Sequence, residues 1–337
     1  MSDQVKKKRA KFRGSDAYLY LIPWLIGIIV FRLYPFFEAF RISLFNERIG
    51  RDPEFVGLGN FREILNEIFR DISNFWFLNF GDNLGPTTPS GQLFRDSLYV
   101  TFRYVFLTVP LVLVVALFIA FILNFKIKGI GFFRTAFYIP SILGGSVAIA
   151  VLWRTVWGNQ GLINSFIRFF MYSLNRLPFV DMYVPAVPVG WMVQGNTALL
   201  VMSILRAWQF GSAMLIFLSA LQNVPTSLYE AASIDGAKKW RQFFTITVPI
   251  ITPTILFNTV QLLVAAFQEF NAPYLVPAQP GGPNDATLLL NVFIYQRAFQ
   301  HNNFGIAGAA SWIMFILIMI ATMIIFKFSN RWVFYND

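Results

Sequence analysis

Six long apolar runs constrain the fold of this chain more than any other feature. They cover approximately residues 18–40, 98–124, 133–157, 198–221, 248–272 and 306–328. As a helix, the first run would extend about 34 Å, which is enough to cross a hydrocarbon core of about 30 Å. A shorter apolar segment, Ile163 to Tyr172, predicts an interfacial or buried external helix instead. The pattern therefore predicts an all-α integral membrane protein with six transmembrane helices, interrupted in or near Pro110, Pro140 and Pro249.

The composition supports this class and excludes several kinds of site. Apolar residues make up 56% of the chain, charged residues make up 13%, and the mean hydropathy is +0.56. Soluble domains usually contain about 25% charged residues. Because the chain has no cysteine, it can form no disulfide, thiolate metal site or cysteine nucleophile. His301 is the single histidine, so neither a metal site nor a histidine-based catalytic site is expected.

The basic residues set the expected orientation, because short cytoplasmic loops are enriched in lysine and arginine. They lie in the N-terminal tail, after the second run, before the fifth run and after the sixth: Lys6, Lys7, Lys8, Arg9, Lys11, Arg13, Lys126, Lys128, Arg134, Lys238, Lys239, Arg241, Lys327 and Arg331. With six spans these positions share one side, which predicts that both termini are cytoplasmic. The net charge of +10 follows this distribution and does not indicate nucleic-acid binding. No small-residue cleavage site follows the first run, so that run is expected to be retained.

This topology divides the chain into four parts. A basic cytoplasmic tail (1–17) precedes the first span with its external loop (18–97). A helical core (98–328) and a second cytoplasmic tail (329–337) follow. The external stretches 70–92 and 158–197 are expected to be additions to the six-helix core.

A polar segment between the fourth and fifth runs, residues 226–253, carries the most specific motif. Ser227 and Glu230 have the spacing of a capping box, which predicts a short helix beginning at Leu228. Gly236 is expected to end that helix in a left-handed conformation. The predicted contact residues of this helix, small or apolar, are Leu228, Tyr229, Ala231, Ala232 and Ile234. Taken alone, the pattern also suits a solvated turn in which Glu230 serves only as a cap.

The same segment resembles the EAA loop of ATP-binding-cassette (ABC) importer permeases, whose pattern is E-A-A-x3-G-x9-I-x-L-P. The matching positions are Glu230, Ala231, Ala232, Gly236, Ile246 and Pro249. The one departure is Val248, where the pattern has leucine. The resemblance implies that a separate ATPase docks on Leu228, Tyr229, Glu230, Ala231, Ala232, Asp235 and Gly236.

Further segments resemble the carbohydrate-uptake group of these permeases, which includes the maltose and glycerol-phosphate importer membrane subunits. They are Phe55 to Phe61, Gly131 to Thr135, Pro140, Trp153-Arg154, Gly161 to Asn164, Leu218 to Gln222 with Pro225, and Gly281 to Pro283. The resemblance implies the type I ABC importer permease (MetI-like) architecture in a bacterial or archaeal plasma membrane. It also implies a second, nonidentical permease, two ATPase subunits that bind ATP and Mg, and an extracytoplasmic solute-binding protein. This chain has no G-x-x-x-x-G-K-[ST] loop, so we expect it to bind no ATP or other cofactor and to catalyse no reaction.

Polar residues in the fourth and fifth runs are candidates for a substrate pathway: Arg206, Trp208, Gln209, Asn258, Gln261, Gln268 and Glu269. Helical geometry would place Asn258 and Glu269 about 20° apart, with the two glutamines to one side. Polar groups inside a membrane usually face a cavity or a partner helix. Hydrogen bonding between helices is therefore the alternative for each of them. Glu269 is near the predicted external end of the fifth run. Among the arginines in or near the runs, Arg206 is the deepest inside one.

Several functions remain open at this point. A neutral sugar or oligosaccharide is the first expectation for the substrate, and Arg206 would favour an anionic oligosaccharide or a glycerol-phosphate compound. A secondary transporter would predict an inverted repeat and intramembrane carboxylates, yet the chain has no evident repeat and few deep carboxylates. A membrane enzyme would need a nucleophile, an acid–base pair or a metal cluster, and none stands out.

Overall fold

The computed structural model describes residues 14–73, 88–125, 128–176 and 188–334. Most of the basic N-terminal tail, much of the stretch 70–92, part of 158–197 and the last three residues lie outside the described residues. The expectations for those parts therefore stay predictions. Within the described ranges the chain is mostly helical, with one small antiparallel sheet that pairs β1 (Phe45–Asn46) with β2 (Glu54–Phe55).

Sixteen α-helices are present in the described residues. They are α1 Gly14–Ile28, α2 Tyr34–Ser43, α3 Gly59–Ser73, α4 Pro89–Leu123, α5 Ile130–Leu143, α6 Val147–Val156, α7 Leu162–Leu174, α8 Gly195–Trp208, α9 Gly211–Gln222, α10 Thr226–Ile234, α11 Lys239–Gln242, α12 Val248–Ile250, α13 Thr252–Phe267, α14 Asn271–Leu275, α15 Leu290–Tyr295 and α16 Phe304–Ser329. Three π-helical turns lie at Ile29–Leu33, Phe243–Thr247 and Gln296–Gln300, and a short 3₁₀ turn at Pro283–Asp285.

The described helices account for six spans, as predicted, but in two different forms. Three helices are long and apolar enough to cross a membrane alone: Tyr20–Ser43 (span one), Pro89–Leu123 (span two) and Phe304–Ser329 (span six). The other three are bent pairs. They are α5 with α6 (span three, 103°), α8 with α9 (span four, 47°) and Lys239–Ile250 with Thr252–Leu275 (span five, 67°).

The bends have local causes in the sequence. In span three, Pro140 lies inside α5 and Gly144, Gly145 and Ser146 follow its end. The Ser146 hydroxyl then accepts a hydrogen bond from Ile149 N at 3.4 Å and begins α6 as a cap. Pro249 lies just before the bend of span five. Pro110 behaves differently from the prediction, because α4 continues through it without interruption as a 35-residue helix.

Helix α4 is the central helix of the fold and packs against α3, α8, α9 and α13. Ala116 and Ala120 are fully buried, and such small residues let neighbouring helices approach closely where lipid supplies no hydrophobic driving force. The buried hydroxyls of Thr108 and Ser203 form a hydrogen bond of 2.9 Å between α4 and α8. Bonds of this kind contribute about 0.6 kcal/mol on average in membrane proteins.

Span one packs against span six. A side chain at Gly308 would lie 3.0 Å from the Ala39 carbonyl oxygen, so the two helices approach closely only because this position is glycine. Phe36, Phe40, Trp312 and Phe315 form aromatic contacts along the same seam. The contacts fix the second half of the first span, α2, on the last span.

The helix predicted at 163–172 is present as α7 and belongs to neither of the bent spans beside it. Phe166, Phe169, Phe170 and Tyr172 are exposed on it. This exposure favours the interfacial placement over the buried one.

Candidate coupling helix and translocation cavity

The helix of the polar segment, α10, begins at Thr226, two residues before the predicted start. Pro225 is its N-cap, with φ −59° and ψ 128°, and no side chain caps the helix. The predicted capping box of Ser227 and Glu230 is therefore wrong. Ser227 lies in the first turn because the proline fixes the chain entry upstream of it.

The C-terminal end of α10 confirms the predicted role of Gly236. This residue has φ +73°, a left-handed conformation that costs a side-chain-bearing residue about 1–2 kcal/mol. Gly236 N donates to Ser233 O at 3.1 Å, and Ala237 N donates to Ala232 O at 2.9 Å. These two bonds form a Schellman motif, which satisfies carbonyls that the helix end would leave free.

Side-chain hydrogen bonds attach α10 to the start of span five. The Tyr229 hydroxyl and Thr247 Oγ1 are 2.7 Å apart, and Thr247 is buried in the π-helical turn. Gln242 Nε2 donates to Ser233 Oγ at 2.9 Å and to Ala237 O at 3.0 Å. Sequence reasoning missed the roles of Ser233, Gln242 and Thr247, since no motif spacing marks them.

Large apolar residues are exposed on α10 and on the start of span five. Ile234 is 87% exposed and Trp240 is 71% exposed, and Leu228 and Phe244 are exposed as well. The rings of Trp240 and Phe244 stack with centroids 6.3 Å apart. Large exposed apolar residues at a polar loop are candidates for an interaction surface. We call Leu228, Ile234, Trp240 and Phe244 the apolar patch of the coupling helix.

A cavity lies between spans three, four and five, and its part of span five is far along the chain from the 67° bend at Ile250–Thr252. Its volume is about 120 Å³, and its lining comes from the break in span three, the end of α8 in span four and the interruption between α13 and α14 in span five. The polar lining residues are Ser141, Ser146, Arg206, Gln209, Glu269 and Asn271, beside Gly144 and Gly145. Non-helical backbone is tolerated at membrane depth where it lines a cavity or is buried in protein. The breaks at Gly144–Ser146, at Gln209 and between α13 and α14 meet this condition because they border the cavity.

Three polar side chains of the cavity are partly satisfied. Arg206 Nη1 donates to Gln209 Oε1 at 3.1 Å, and Gln209 Nε2 donates to Gly144 O at 3.0 Å. Glu269 Oε1 accepts from the backbone N–H of Ala272 at 3.2 Å, at the start of α14. Within the described residues no ion pair joins Arg206 to Glu269. The guanidinium therefore keeps further donors for a bound molecule.

Arg154 joins two walls of the cavity. From α6 it donates to the carbonyl oxygens of Leu275 at 2.7 Å, Pro277 at 2.8 Å and Val276 at 3.1 Å. These carbonyls follow the end of α14, where a helix leaves them without internal partners. The second arms of spans three and five are thus held together by one charged side chain.

The comparisons with known proteins decide what this arrangement belongs to. A family profile described as "Binding-protein-dependent transport system inner membrane component" matches residues 91–335. The chain belongs to this permease family. Its membrane-protein fold and its predicted family are thereby confirmed.

Relatives of known name cover the permease from end to end. It is 38% identical over 337 residues to the "Probable ABC transporter permease protein YesP" of Bacillus subtilis (strain 168), covering 100% of this chain and 97% of the relative. It is 27% identical over 331 residues to the "Lactose transport system permease protein LacF" of Rhizobium radiobacter, covering 97% and 98%.

A solved structure shares the fold. The chain superposes with a TM-score of 0.70 and 18% identity on one described as a "bacterial ABC transporter involved in the import of the acidic polysaccharide alginate", covering 94% of the permease and 96% of that chain. At this identity, the likeness shows the fold alone.

The permease brings three of the seven predicted pathway residues to one cavity, namely Arg206, Gln209 and Glu269. Trp208 packs against Trp153 instead, with ring centroids 5.8 Å apart. The sequence patterns did not single out Ser141, Gly144, Gly145 or Ser146 as lining residues. Their convergence depends on the 103° bend of span three.

The residues predicted to form a polar stripe in span five lie in different environments, and the pathway role of Gln261 and Gln268 stays a prediction. Asn258 is buried, with Nδ2 directed at the Ala213 carbonyl of α9 at 3.5 Å, whereas Gln261 and Gln268 are exposed. Helix α13 ends at Phe267, so helical spacing does not extend to Glu269. Asn258 thus adopts the alternative expected for it, a contact between helices.

Proposed function

We propose that this permease is the membrane subunit of an ATP-driven, binding-protein-dependent importer of a sugar or oligosaccharide. The observation that carries the proposal is that one chain combines the helix α10, which has exposed apolar residues, with a polar cavity between bent spans. Curated relatives named for lactose and for arabinooligosaccharides support the substrate class. The cavity offers a guanidinium, two amides, a carboxylate and two hydroxyls, which are the groups that bind sugar hydroxyls.

The coupling partner is an ATPase that binds ATP and Mg, present in two copies beneath this permease and a second, nonidentical permease. The apolar patch of the coupling helix enters a groove of the ATPase, with Glu230, Ala231, Ala232 and Asp235 beside it. Both termini and the EAA loop are cytoplasmic, and a solute-binding protein delivers the substrate on the other side. A solved relative of the same fold, described as in complex with an "alginate pentasaccharide-bound periplasmic protein", supports this arrangement.

The hydrogen-bonded link between α10 and span five gives the coupling a physical route. When the ATPases close, a displacement of α10 passes through the bond of Tyr229 to Thr247 into the π-helical turn at Phe243–Thr247. Span five continues from that turn to Glu269 and α14, which form one wall of the cavity. A movement at the cytoplasmic loop therefore reaches the groups that would bind substrate.

An anionic oligosaccharide or a glycerol-phosphate compound is the second candidate substrate. Arg206 favours it, because the only side chain that accepts from Arg206 within the described residues is the neutral amide of Gln209. An arginine inside a membrane usually pairs with an opposite charge, and a carboxylate or phosphate of the substrate would supply one. Glu269 in the same cavity favours a neutral sugar.

Copurification of the complex with its solute-binding protein tests the proposal most directly. The molecule bound to that protein is identified by mass spectrometry, and its ATP-dependent uptake is measured in proteoliposomes. We expect a neutral or uronic-acid-containing oligosaccharide that stimulates ATP hydrolysis. A bound amino acid or metal ion, or uptake driven by an ion gradient without ATP, would refute the proposal.

A further inference from the structure

Helix α7 presents an apolar face that no described part of the chain covers. Phe169 is 70% exposed and Phe166 is 66% exposed, and Leu162, Phe170 and Tyr172 are exposed beside them. At about 100° per residue these side chains occupy one arc of the helix, with Ser165 and Ser173 as the polar members of that arc. The rings of Phe166 and Phe170 stack with centroids 6.4 Å apart.

The opposite side of α7 fixes the direction of this face. Asn164 is buried and its Nδ2 lies 3.0 Å from Val189 O and 3.2 Å from the carbonyl oxygens of Gly158 and Asn159. Its Oδ1 accepts from Trp191 Nε1 at 3.1 Å. One amide thus locks the helix onto the loop that follows α6 and onto the segment before α8. The aromatic arc is consequently presented outward in one orientation.

The position and charge of α7 identify what covers the arc. The helix follows α6 after a short turn, so it lies at the level where span three ends. From Gly158 to Arg176 the chain contains Arg168 and Arg176 but no acidic residue. Aromatic and leucine side chains on one face, with arginine at the flank and end, are typical of helices that lie in the interface plane of a bilayer.

We propose that α7 is a lipid anchor. Its aromatic arc lies in the interfacial layer of the outer leaflet, and Arg168 and Arg176 reach the phosphates of anionic phospholipid headgroups. The anchor holds the outer arm of span three, α6, whose Ile149 and Ala150 line the cavity. The placement on the outer side depends on the proposed topology, whereas the contact with lipid does not.

The absence of cysteine allows a direct test by site-directed spin labelling. Ser173→Cys places a nitroxide within the arc without removing an aromatic ring. Phe106→Cys in span two is the matched control for lipid, because Phe106 is 75% exposed on a transmembrane helix. Asn284→Cys in the exposed loop before α15 is the control for water. The whole transporter complex is reconstituted in phosphatidylcholine vesicles with or without phosphatidylglycerol.

Collisions with oxygen and with a water-soluble nickel chelate measure the depth of each label. We expect the Ser173 label to lie between the two controls, with oxygen favoured over the chelate. A value equal to that of Asn284→Cys would mean that the arc faces water. Protection from both reagents would mean that another protein subunit covers it. Either result would overturn the proposal.

The arginines supply a second, independent measurement. In vesicles that contain phosphatidylglycerol, Arg168→Gln with Arg176→Gln should lower the enrichment of that lipid at α7, by about fivefold per arginine. Arg331→Gln, at an exposed position after span six, is the matched control and should leave the enrichment at α7 unchanged. Equal lipid enrichment in the double variant and the wild type would refute the part of the proposal that concerns anionic lipid. In sealed vesicles, protection of the Asn284 label from the chelate shows on which side of the membrane the loop before α15 lies. This separate measurement distinguishes a wrong topology from a missing lipid contact.

Discussion

The coupling helix and the cavity are both built where helices end, but they are held by different kinds of contact. At α10, the bonds join residues close in sequence, such as Gly236 to Ser233 and Tyr229 to Thr247. At the cavity, Gln209 bonds to Gly144, 65 positions away, and Arg154 to Val276, 122 positions away. The coupling helix is therefore a local unit with an uncovered apolar patch. The cavity exists only when spans three, four and five are assembled.

Gly236→Val is expected to have the largest effect. It tests whether the coupling helix is a local unit. Valine at φ +73° costs on the order of 1–3 kcal/mol and would unwind the end of α10. We expect the complex to insert and the cavity to persist, while substrate-stimulated ATP hydrolysis and uptake are lost. Uptake and ATPase rates in proteoliposomes provide the measurement.

Gly50→Val is the matched control for that variant. Gly50 has φ +77° and, like Gly236, no neighbouring atom within 4 Å of the point where a Cβ would lie, but it belongs to the hairpin between β1 and β2. It should cause the same backbone strain without uncoupling. Equal loss of uptake in both variants would show that strain anywhere in the chain disables transport, and the special role of α10 would be lost.

Arg206→Gln tests the chemistry of the cavity with the next largest effect. A hydrogen bond to a charged group contributes about 1.5–3 kcal/mol, so uptake of an anionic oligosaccharide should fall by roughly tenfold or more. Uptake of a neutral oligosaccharide of similar length should change little, and Arg206→Lys should recover part of the anionic uptake. If both substrates lose uptake equally, Arg206 holds the walls together and does not select the substrate.

A smaller effect is expected when the hydrogen bond between Tyr229 of α10 and Thr247 at the start of span five is removed. Tyr229→Phe removes one neutral hydrogen bond, which contributes about 0.5–1.5 kcal/mol, and should lower uptake by a few fold relative to ATP hydrolysis. Thr247→Val should have a similar effect, and the double variant should be no worse than either single one. Additive losses in this double-mutant cycle would mean that the two hydroxyls act separately.

The smallest functional effect is expected at Asn258. Because Asn258 is buried against α9, Asn258→Leu should reduce the stability of the complex by about 1 kcal/mol and leave uptake per folded complex unchanged. In cysteine variants, the exposed positions Gln261→Cys and Gln268→Cys should react with a thiol reagent, either a water-soluble or a membrane-permeant one. Asn258→Cys should stay protected from both. Strong labelling of Asn258→Cys by a water-soluble reagent would return this residue to the substrate pathway.

Features that depend on adjacent residues could be predicted from the sequence, although not always correctly. The six spans follow from the long apolar runs, and the end of α10 follows from the need for glycine at φ +73°. The predicted start of α10 is wrong because Pro225 fixes the backbone before Ser227 can act as a cap. In each case the outcome turns on which local preference is stronger.

The cavity could be predicted only in part. Arg206, Gln209 and Glu269 are candidates because polar groups are costly in a membrane, and the structure brings them together. Polarity alone does not distinguish a residue that faces a cavity from one that bonds to a neighbouring helix, and Asn258 is of the second kind. The glycines of span three carry no polarity signal at all. Their place in the lining comes from a sharp bend whose direction depends on packing against span four.

The close seam between the first and last spans has a consequence for how the protein is made. Helix α2 packs against α16, which is the last of the described helices to be translated. Phe36 and Phe40 therefore remain in contact with lipid during most of translation, and the seam closes only after Gly308 and Trp312 have entered the membrane. A nascent chain truncated before Phe304 would carry an inserted first helix that lacks its seam with α16. The synthesis of α16 is thus the event that allows this seam to close.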